Sequence, residues 1–270
     1  MPPMTYETIL YEVADRIATI TFNRPERLNA VNEQMISELD DAYTRAEGDD
    51  DVWTLVVTAT GRAFCAGADV EKIPEDGKVP HEGRYLSQYK EWEAPQEATP
   101  PFRTMAKPIV VAVNGICCGA GMDLVTTGDI TIASEDATFF DPHVSIGLAS
   151  GREMVRVARA LPINVAMRMA LLGKQERLSA QRAYELGFIT EIVRADELQA
   201  RARELAQLVN RNAPLAVRGT RLAIRKGLGL PLHEAEILAE AFRERVLHTE
   251  DSIEGPRAFM EKRDPEWKCE

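Results

Sequence analysis

The sequence is short of positive charge. It has 32 Lys and Arg against 43 Asp and Glu, which gives a formal net charge of −11 over 270 residues. Binding to a phosphate backbone needs clustered basic side chains, so this deficit argues against a nucleic-acid-binding protein. The charge still allows a small phosphorylated ligand held by a few local cations.

Long apolar runs are also missing. No stretch approaches the length that a membrane-spanning helix needs. Residues 1–7 have neither the basic region nor the apolar core of a signal peptide. We therefore expect a cytoplasmic protein with no membrane insertion.

Cysteine is scarce, with only Cys65, Cys117, Cys118 and Cys269 in the chain. Four such cysteines do not indicate a disulfide framework, and Cys117 and Cys118 are adjacent rather than at zinc-ligand spacing. We expect the first three to be small, buried, apolar residues of the core, and we expect no metal site.

Several familiar catalytic motifs are absent. The segment Gly119-Ala120-Gly121 lacks the third glycine of a dinucleotide-binding fingerprint, and no Gly-Lys-Ser/Thr supplies a P-loop. His233-Glu234 has no second histidine four residues after the first, so it does not form a zinc-protease helix. There is no Gly-x-Ser-x-Gly nucleophile elbow either.

The patterns that are present predict an α/β protein with a largely parallel sheet. Residues 8–13 and 17–22 alternate apolar and polar around Asp15, which predicts a hairpin. Residues 74–101, rich in Pro, Glu and Gly, have the composition of a binding loop or mobile lid, with a short helix around 83–92. Further strands are expected at 52–59, 109–113, 130–133 and 188–193, and helices at 32–47, 154–172, 179–186, 197–211, 214–227 and 232–248.

The most informative stretch is 107–147. A five-residue apolar run ends at Asn114-Gly115, and the small residues 119–121 then open a helix. A helix N-terminus directs backbone N–H groups at whatever lies over it, so this turn predicts an anion or oxyanion site. Asp123 follows one turn into the helix, and His143 follows a second strand.

A second segment, 61–70, also runs from a strand through small residues. Alone it is equally well explained as a tightly packed strand-to-helix turn. Two such turns in one chain favour a different hypothesis, in which one N–H from each converges on a single oxygen, as an oxyanion hole requires.

With these segments in hand, the sequence resembles the crotonase (enoyl-CoA hydratase/isomerase) superfamily over nearly its whole length. Each matching piece is short, but their order and spacing are specific to the family. The pieces are Asn23-Arg24-Pro25 with Leu28-Asn29-Ala30, residues 61–69, Lys107-Pro108, Asn114-Gly115, Gly119-Ala120-Gly121, Asp129-Ile130, residues 180–187 and residues 254–263.

The resemblance implies a spiral of ββα units over residues 1–195, followed by a helical C-terminal region, 196–270, used for trimerisation. It implies a homotrimer or homohexamer, an acyl-CoA substrate, and no cofactor other than the coenzyme A of that substrate. The oxyanion-hole N–H groups then fall on Ala68 and Ala120. The implied CoA contacts are Glu26, Arg27, Leu28, Ala66, Ala68, Asp69, Val70 and Ala120, with Phe259 and Lys262 at the nucleotide end, from the same or a neighbouring subunit.

The chain departs from the family's hydratases at the two catalytic glutamates, which align with Asp123 and His143. Asp123 keeps a carboxylate, and His143 can exchange a proton near neutral pH. Asp141, two residues earlier, is a candidate to orient His143 or to reduce its availability as a base. Enoyl-CoA hydration is the expected reaction. The alternatives are an isomerase, a thioester hydrolase or a retro-Claisen C–C bond-cleaving enzyme using the same two residues, and a catalytically weak acyl-CoA-binding protein.

Overall fold

The structure is a computed structural model, and it describes residues 6–69 and 104–270. The predicted loop at 74–101 and its short helix lie outside the described residues. The strands are β1 (Ile9–Ala14), β2 (Ile17–Phe22), β3 (Thr54–Ala59), β4 (Ala63–Cys65), β5 (Ile109–Val113), β6 (Ile116–Cys118), β7 (Ile130–Ser134), β8 (Thr138–Phe140), β9 (Leu178–Ser179) and β10 (Glu191–Val193). The helices are α1 (Glu33–Gly48), α2 (Ala120–Thr127), α3 (Arg152–Ala160), α4 (Ile163–Leu172), α5 (Ala180–Glu185), α6 (Leu198–Asn210), α7 (Pro214–Gly227), α8 (Leu232–Leu247) and α9 (Glu250–Glu261).

The first sheet has the strand order β1-β2-β3-β5-β7-β10. Only β1 and β2 pair antiparallel, and the remaining neighbours are parallel. The predicted hairpin is confirmed. Its turn residues Asp15 and Arg16 both have positive φ, +53° and +62°, which is the backbone of the turn that best matches strand twist. Every residue of β3 and β5 is buried, as expected for parallel strands covered on both faces.

The second sheet is small and has the order β4-β6-β8-β9. Its strands are two or three residues long, and each of β4, β6 and β8 comes directly after a strand of the first sheet. The chain therefore alternates between sheets, and β5, β6 and α2 form a complete ββα unit. This arrangement places the ends of β4 and β6 side by side, because those two strands are parallel neighbours.

The core lies on both faces of the first sheet. One face packs against α1, α2 and the second sheet. The other face packs against α6, where Leu198, Ala202 and Ala206 contact apolar side chains such as Val110 and Ile132. Because α6 covers the sheet directly, the start of the helical C-terminal part is packed onto the strand core. The division into 1–195 and 196–270 stays a prediction.

The predicted single helix over 154–172 is wrong, since two helices, α3 and α4, occupy this region with Leu161 and Pro162 between them. Proline has no N–H to donate to the preceding turn, and its ring clashes with the carbonyl four residues earlier. The predicted strand over 188–193 is shorter than expected. Only β10 pairs with β7, and Phe188 and Ile189 are buried in the core after the positive-φ Gly187.

The C-terminal helices carry much of the exposed apolar surface. Helices α7 and α8 form an antiparallel pair, and no residue of α8 is buried. Exposed apolar side chains here include Leu228, Leu232 and Ile237. Within residues 6–69 and 104–270, no helix is both long enough and apolar enough to cross a membrane.

Candidate active site

Two glycine turns meet at the ends of the neighbouring strands β4 and β6. Gly67 has a φ of +92° and Gly119 a φ of +53°. A Cβ atom on Gly119 would lie 3.1 Å from the Cα of Gly67, so the two backbones touch at a point where only glycine fits without a shift. The next residues along the two turns are Ala68 and Ala120, the predicted oxyanion donors. The structure therefore brings these two residues close together.

The hydrogen bonds around Ala68 set the direction of its N–H. Val31 N donates to Gly67 O at 2.8 Å, and Asp69 N donates to Val31 O at 2.9 Å. The C=O of Gly67 and the N–H of Ala68 belong to one planar trans peptide, so they point in opposite directions. The N–H of Ala68 therefore points away from Val31.

Ala120 is the first residue of α2, with Gly119 as its N-cap. The first N–H groups of a helix have no acceptor within the helix, and the helix dipole adds partial positive charge there. Met122 N donates to Gly119 O at 2.9 Å, which closes the first turn. The predicted helix start after the small-residue turn is confirmed, and it leaves the Ala120 N–H available to a ligand.

Three buried thiols surround the start of α2. A Cβ on Gly121 would lie 3.0 Å from Cys117 Sγ and 3.0 Å from Cys65 Cβ. Burial raises the pKa of the Cys65 thiol to about 11 and that of the Cys118 thiol to about 12. These cysteines are therefore neutral packing residues, and the prediction that Cys65, Cys117 and Cys118 are buried core residues is confirmed.

His143 and Asp141 form a hydrogen-bonded pair. Asp141 is fully buried, and its Oδ1 lies 2.9 Å from His143 Nδ1 and accepts from His143 N at 3.0 Å. Ser150 Oγ donates to the other carboxylate oxygen at 2.7 Å. An ionised carboxylate can only accept, so Nδ1 carries the proton and Nε2 is left as the acceptor nitrogen of a neutral ring.

The pair also changes both proton affinities. The hydrogen bond to Asp141 raises the pKa of His143 above its ordinary value, against an opposing effect of burial. Burial disfavours the charged form of Asp141, but hydrogen bonds from His143 and Ser150 outweigh it and lower the pKa of that carboxyl. Asp141 is therefore a fixed negative charge behind the imidazole.

The imidazole lies against the glycine turn of α2. A Cβ on Gly119 would be 3.8 Å from Cε1 of His143, the ring carbon between the two nitrogens. His143 is thus next to the residue that precedes Ala120. The structure brings together the predicted base and one predicted oxyanion donor.

Asp123 lies three residues after Ala120 on α2, and its side chain is buried. Residues three apart share a helix face, so Asp123 and Ala120 face the same side. Arg156 of α3 reaches Asp123, with 3.6 Å between Nε and Oδ1. The carboxylate at this position therefore has a cation beside it.

The segment before α1 supports the Gly67 turn. Asn29, fully buried with a φ of +54°, accepts from Arg24 N and donates to Thr60 O and Ala63 O, each at 2.7 or 2.8 Å. The Arg24 guanidinium binds Asp69 Oδ2 at 2.9 Å. The predicted ligand Asp69 is therefore held by Arg24 on one side of the turn.

The other predicted CoA contacts are only partly grouped. Ala66 N donates to Leu28 O at 3.1 Å, so these two flank the Gly67 turn. Glu26 and Arg27 lie in the exposed 3-10 turn Pro25–Arg27. Val70 lies outside the described residues.

Phe259 and Lys262, expected at the nucleotide end of CoA, lie at the end of α9. Phe259 is 85% exposed, and Lys262 is also at the surface. No hydrogen bond in the described part of the chain joins them to the glycine turns.

Sequence reasoning missed Arg156 and Ser150, and it assigned no role to Arg24 or Asn29 although both belong to a matched motif. An arginine on a charged amphipathic helix is normally solvated, so Arg156 gave no signal of its own. Asn29 gives a weak indication of a turn, because asparagine tolerates positive φ better than most residues. Among residues 6–69 and 104–270, no cluster of His, Cys, Asp or Glu is arranged to hold a metal ion.

The sequence was compared with family models and with curated proteins. The model described as enoyl-CoA hydratase/isomerase matches residues 12–270. The chain is 33% identical to the mevalonyl-coenzyme A hydratase of Aspergillus fumigatus over 93% of this chain and 91% of that protein. It is 31% identical to a probable enoyl-CoA hydratase of Mycobacterium bovis over 98% of this chain and 99% of that protein.

The fold was compared with solved structures. An enoyl-CoA hydratase/isomerase from Mycobacterium paratuberculosis has a TM-score of 0.91 and 71% identity, covering 98% of this chain and 100% of that one. An enoyl-CoA hydratase from Mycobacterium tuberculosis H37Rv has a TM-score of 0.83 and 30% identity, covering 97% and 99%. Similarity to these structures thus extends over nearly the whole chain.

Proposed function

The chain belongs to the enoyl-CoA hydratase/isomerase (crotonase) family, and we propose that it hydrates an enoyl-CoA thioester through an enolate held by Ala68 and Ala120. Its fold is the α/β crotonase fold, with two mixed sheets and C-terminal helices. An acyl-CoA substrate follows from the family. The reaction and the roles of individual residues are our proposal.

When water adds to the β-carbon of an enoyl thioester, electrons move onto the thioester oxygen. Two fixed N–H donors stabilise that oxygen without a titrating group, and losing one such donor typically costs about 10²–10³ in rate. Ala68 and Ala120 are suited to this role because Gly67 and Gly119 are in contact.

His143 is the proposed proton carrier. Neutral Nε2 takes a proton from water as the water oxygen bonds to the β-carbon, and the resulting imidazolium is stabilised by Asp141. The imidazolium then returns the proton to the α-carbon as the enolate collapses. The net change is one water added across the double bond, and His143 ends neutral.

Asp123 is proposed to orient the water by accepting its second hydrogen. Arg156 keeps a positive charge next to this carboxylate, 3.6 Å from its Oδ1. The pair of acids that family hydratases use is replaced here by an Asp–Arg pair and a His–Asp pair. His143 then carries the proton, and Asp123 orients the water.

The CoA moiety is proposed to lie along the 3-10 turn Pro25–Arg27 and the Gly67 turn. Leu28, Ala66 and Asp69 flank the first turn, while Glu26 and Arg27 are exposed next to it and Val70 follows it. The exposed Arg27 is the proposed contact for a phosphate of CoA. Lys262 and Phe259 are proposed to contact the nucleotide from a neighbouring subunit, in a homotrimer or a pair of trimers.

The observation that carries this proposal is the His143–Asp141 pair lying at the Gly119 turn. The test is hydration of crotonyl-CoA, followed as loss of the enoyl absorbance. We expect His143→Ala and Asp123→Asn each to lower kcat by about 10²-fold or more, the scale of general acid–base catalysis. Unchanged turnover in both variants would remove the assignment.

The same pair favours a second candidate. A histidine backed by a buried aspartate is an effective base toward water attacking a carbonyl carbon, as in hydrolytic sites. That chemistry would hydrolyse the thioester or cleave a β-keto acyl chain. Product analysis over enoyl-, β-keto- and branched acyl-CoA esters distinguishes the reactions: a 3-hydroxyacyl-CoA indicates hydration, a shifted double bond isomerisation, and free CoA or a shortened acyl chain cleavage. Binding of CoA esters with no turnover of any of them would indicate a binding protein.

A further inference from the structure

Arg225 of α7 binds the C-terminal end of α2, the helix whose first N–H is the proposed oxyanion donor. Its guanidinium donates to Thr126 O at 3.2 Å, to Thr127 O at 3.0 Å and to Gly128 O. One side chain from the C-terminal region thus takes three consecutive carbonyl groups at the end of an eight-residue helix.

The remaining carbonyl groups of the last turns also have donors. Thr126 Oγ1 donates to Met122 O at 3.0 Å, Thr127 Oγ1 to Asp123 O at 2.7 Å, and Gly128 N to Leu124 O at 2.8 Å. The last carbonyls of a helix normally lack partners within it. Val125 O accepts from Thr131 Oγ1 at 3.4 Å, so each of them is occupied by a protein donor, while the Ala120 N–H at the other end is open to a ligand.

Asp129 fixes the arginine. Its Oδ1 accepts from Arg225 Nε at 3.0 Å, and its Oδ2 accepts from Arg221 Nε at 2.6 Å and from Ile109 N at 2.8 Å. Asp129 N donates in turn to Ile109 O. A single carboxylate therefore joins the start of β5, the end of α2 and two turns of α7.

We propose that Arg225, held by Asp129, is a positioning residue for the Ala120 N–H in the enolate-forming step. This inference rests on the proposed function, because it assumes that Ala120 serves the thioester oxygen. Arg225 touches no reacting atom in this scheme. It acts by holding the far end of the helix that carries the donor.

The length of α2 makes the coupling direct. Eight residues at about 1.5 Å each span roughly 12 Å. A helix this short moves as one body, so a displacement of its C-terminal end displaces the Ala120 N–H by a comparable distance. A displacement of about 1 Å in a catalytic group can cost about 10²-fold in rate. A cation at the C-terminus also interacts favourably with the negative end of the helix dipole, which stabilises the last turn of α2.

The test compares three variants on α7. Arg225→Met removes the charge and all carbonyl contacts but keeps the stem. Arg225→Lys keeps the charge and loses the planar fork that reaches three carbonyls. Lys226→Met is the matched control, because this adjacent lysine is exposed and makes no hydrogen bond or ion pair in the described part of the chain. Each variant is first checked for cooperative thermal unfolding.

We expect Arg225→Met to lower kcat for crotonyl-CoA about tenfold with KM changed less than about twofold, Arg225→Lys to be intermediate, and Lys226→Met to match the wild type. A second measurement does not need turnover. 4-(Dimethylamino)cinnamoyl-CoA absorbs at longer wavelength when its thioester oxygen is polarised, so its shift on saturation reports the strength of the oxyanion hole.

The bound probe should show a smaller red shift in Arg225→Met than in the wild type. A full red shift with wild-type kcat in Arg225→Met would overturn the positioning role. A rise in KM of about tenfold with kcat unchanged would also overturn it. If wild-type protein turns over no enoyl-CoA, the proposed function fails. The red shifts of the two proteins then decide the positioning role alone, with equal shifts overturning it.

Discussion

The backbones of Gly67 and Gly119 are in direct contact, since a Cβ atom on Gly119 would lie 3.1 Å from the Cα of Gly67. This contact sets the spacing of the Ala68 and Ala120 N–H groups. The positive φ of Gly119, +53°, adds a second reason for glycine at this position.

Gly119→Ala should therefore weaken both stability and catalysis. A Cβ in this sparsely populated positive-φ region costs about 1–3 kcal/mol, and the two turns must separate by a few tenths of an ångström. We expect urea denaturation to show that loss and kcat for crotonyl-CoA to fall by about 10²-fold. Gly229→Ala is the control, because a Cβ there meets nothing within 4 Å. Wild-type kcat in Gly119→Ala would contradict the close coupling of the two turns.

Asp141→Asn should change the pH dependence of the reaction. The hydrogen bond to Asp141 raises the pKa of His143. The proposed base must be neutral, so wild-type activity falls as the pH drops through a pKa that lies above the ordinary histidine value of about 6.5. Asparagine removes the charge that raises this pKa, so the acid limb of the kcat/KM profile moves to lower pH. The maximum rate falls by about 10²-fold or more because the imidazole tautomer is no longer fixed.

The matched variant for that profile is Ser150→Ala. It removes one donor to Asp141 but leaves the contact between Asp141 and His143 in place. We expect a smaller displacement of the acid limb and a smaller loss of rate than in Asp141→Asn. An acid limb that stays at the same pH in Asp141→Asn would show that His143 is not the titrating base.

Arg156→Met should affect turnover more than substrate binding. Removing the guanidinium leaves the buried Asp123 carboxylate without the cation 3.6 Å away. The carboxylate then loses the charged partner that holds its orientation toward the water, and misplacing a catalytic group costs rate rather than binding. We expect kcat for crotonyl-CoA to fall about tenfold with KM changed less than about twofold. Arg159→Met, an exposed position on the same helix, should behave like the wild type, and a loss of equal size there would point to a general effect of charge.

Asn29→Asp tests the support beneath the first turn. The side-chain amide donates to Thr60 O and Ala63 O, both at 2.8 Å, from a fully buried position. A carboxylate there faces two carbonyl oxygens with no proton to offer. We expect a loss of about 3 kcal/mol in the free energy of unfolding, measured in urea. Asn164→Asp, on the surface of α4, should change that free energy by less than about 0.5 kcal/mol.

The parts of the fold that could be predicted are those with long periodic signals. The hairpin of β1 and β2, the first helix and the parallel strands β3, β5 and β7 all follow from alternation or from buried apolar runs. The second sheet was not predicted strand by strand, because strands of two or three residues are too short to show a period. Pro162 was present in the sequence, yet the apolar pattern continues across it and hid the break between α3 and α4.

The candidate site divides in a similar way. Glycines at 67 and 119 indicate that two backbone segments approach closely. Asp141 lies two residues before His143, and this spacing predicted that the two side chains interact. Arg156 and Arg225 could not be found from the sequence. Each contacts a residue at least 33 positions away in the chain, and neither belongs to a local motif. Such contacts depend on the packing of α3 and α7, which only the fold supplies.

The three buried thiols of β4 and β6 offer a way to measure how often the active-site region opens. Cys65, Cys117 and Cys118 are buried between β4, β6 and α2, whereas Cys269 is partly accessible. An alkylating reagent can reach the buried set only after this packing opens. Their alkylation rates in the native protein therefore measure the free energy of that local opening, and Cys269 serves as an internal reference for reagent reactivity.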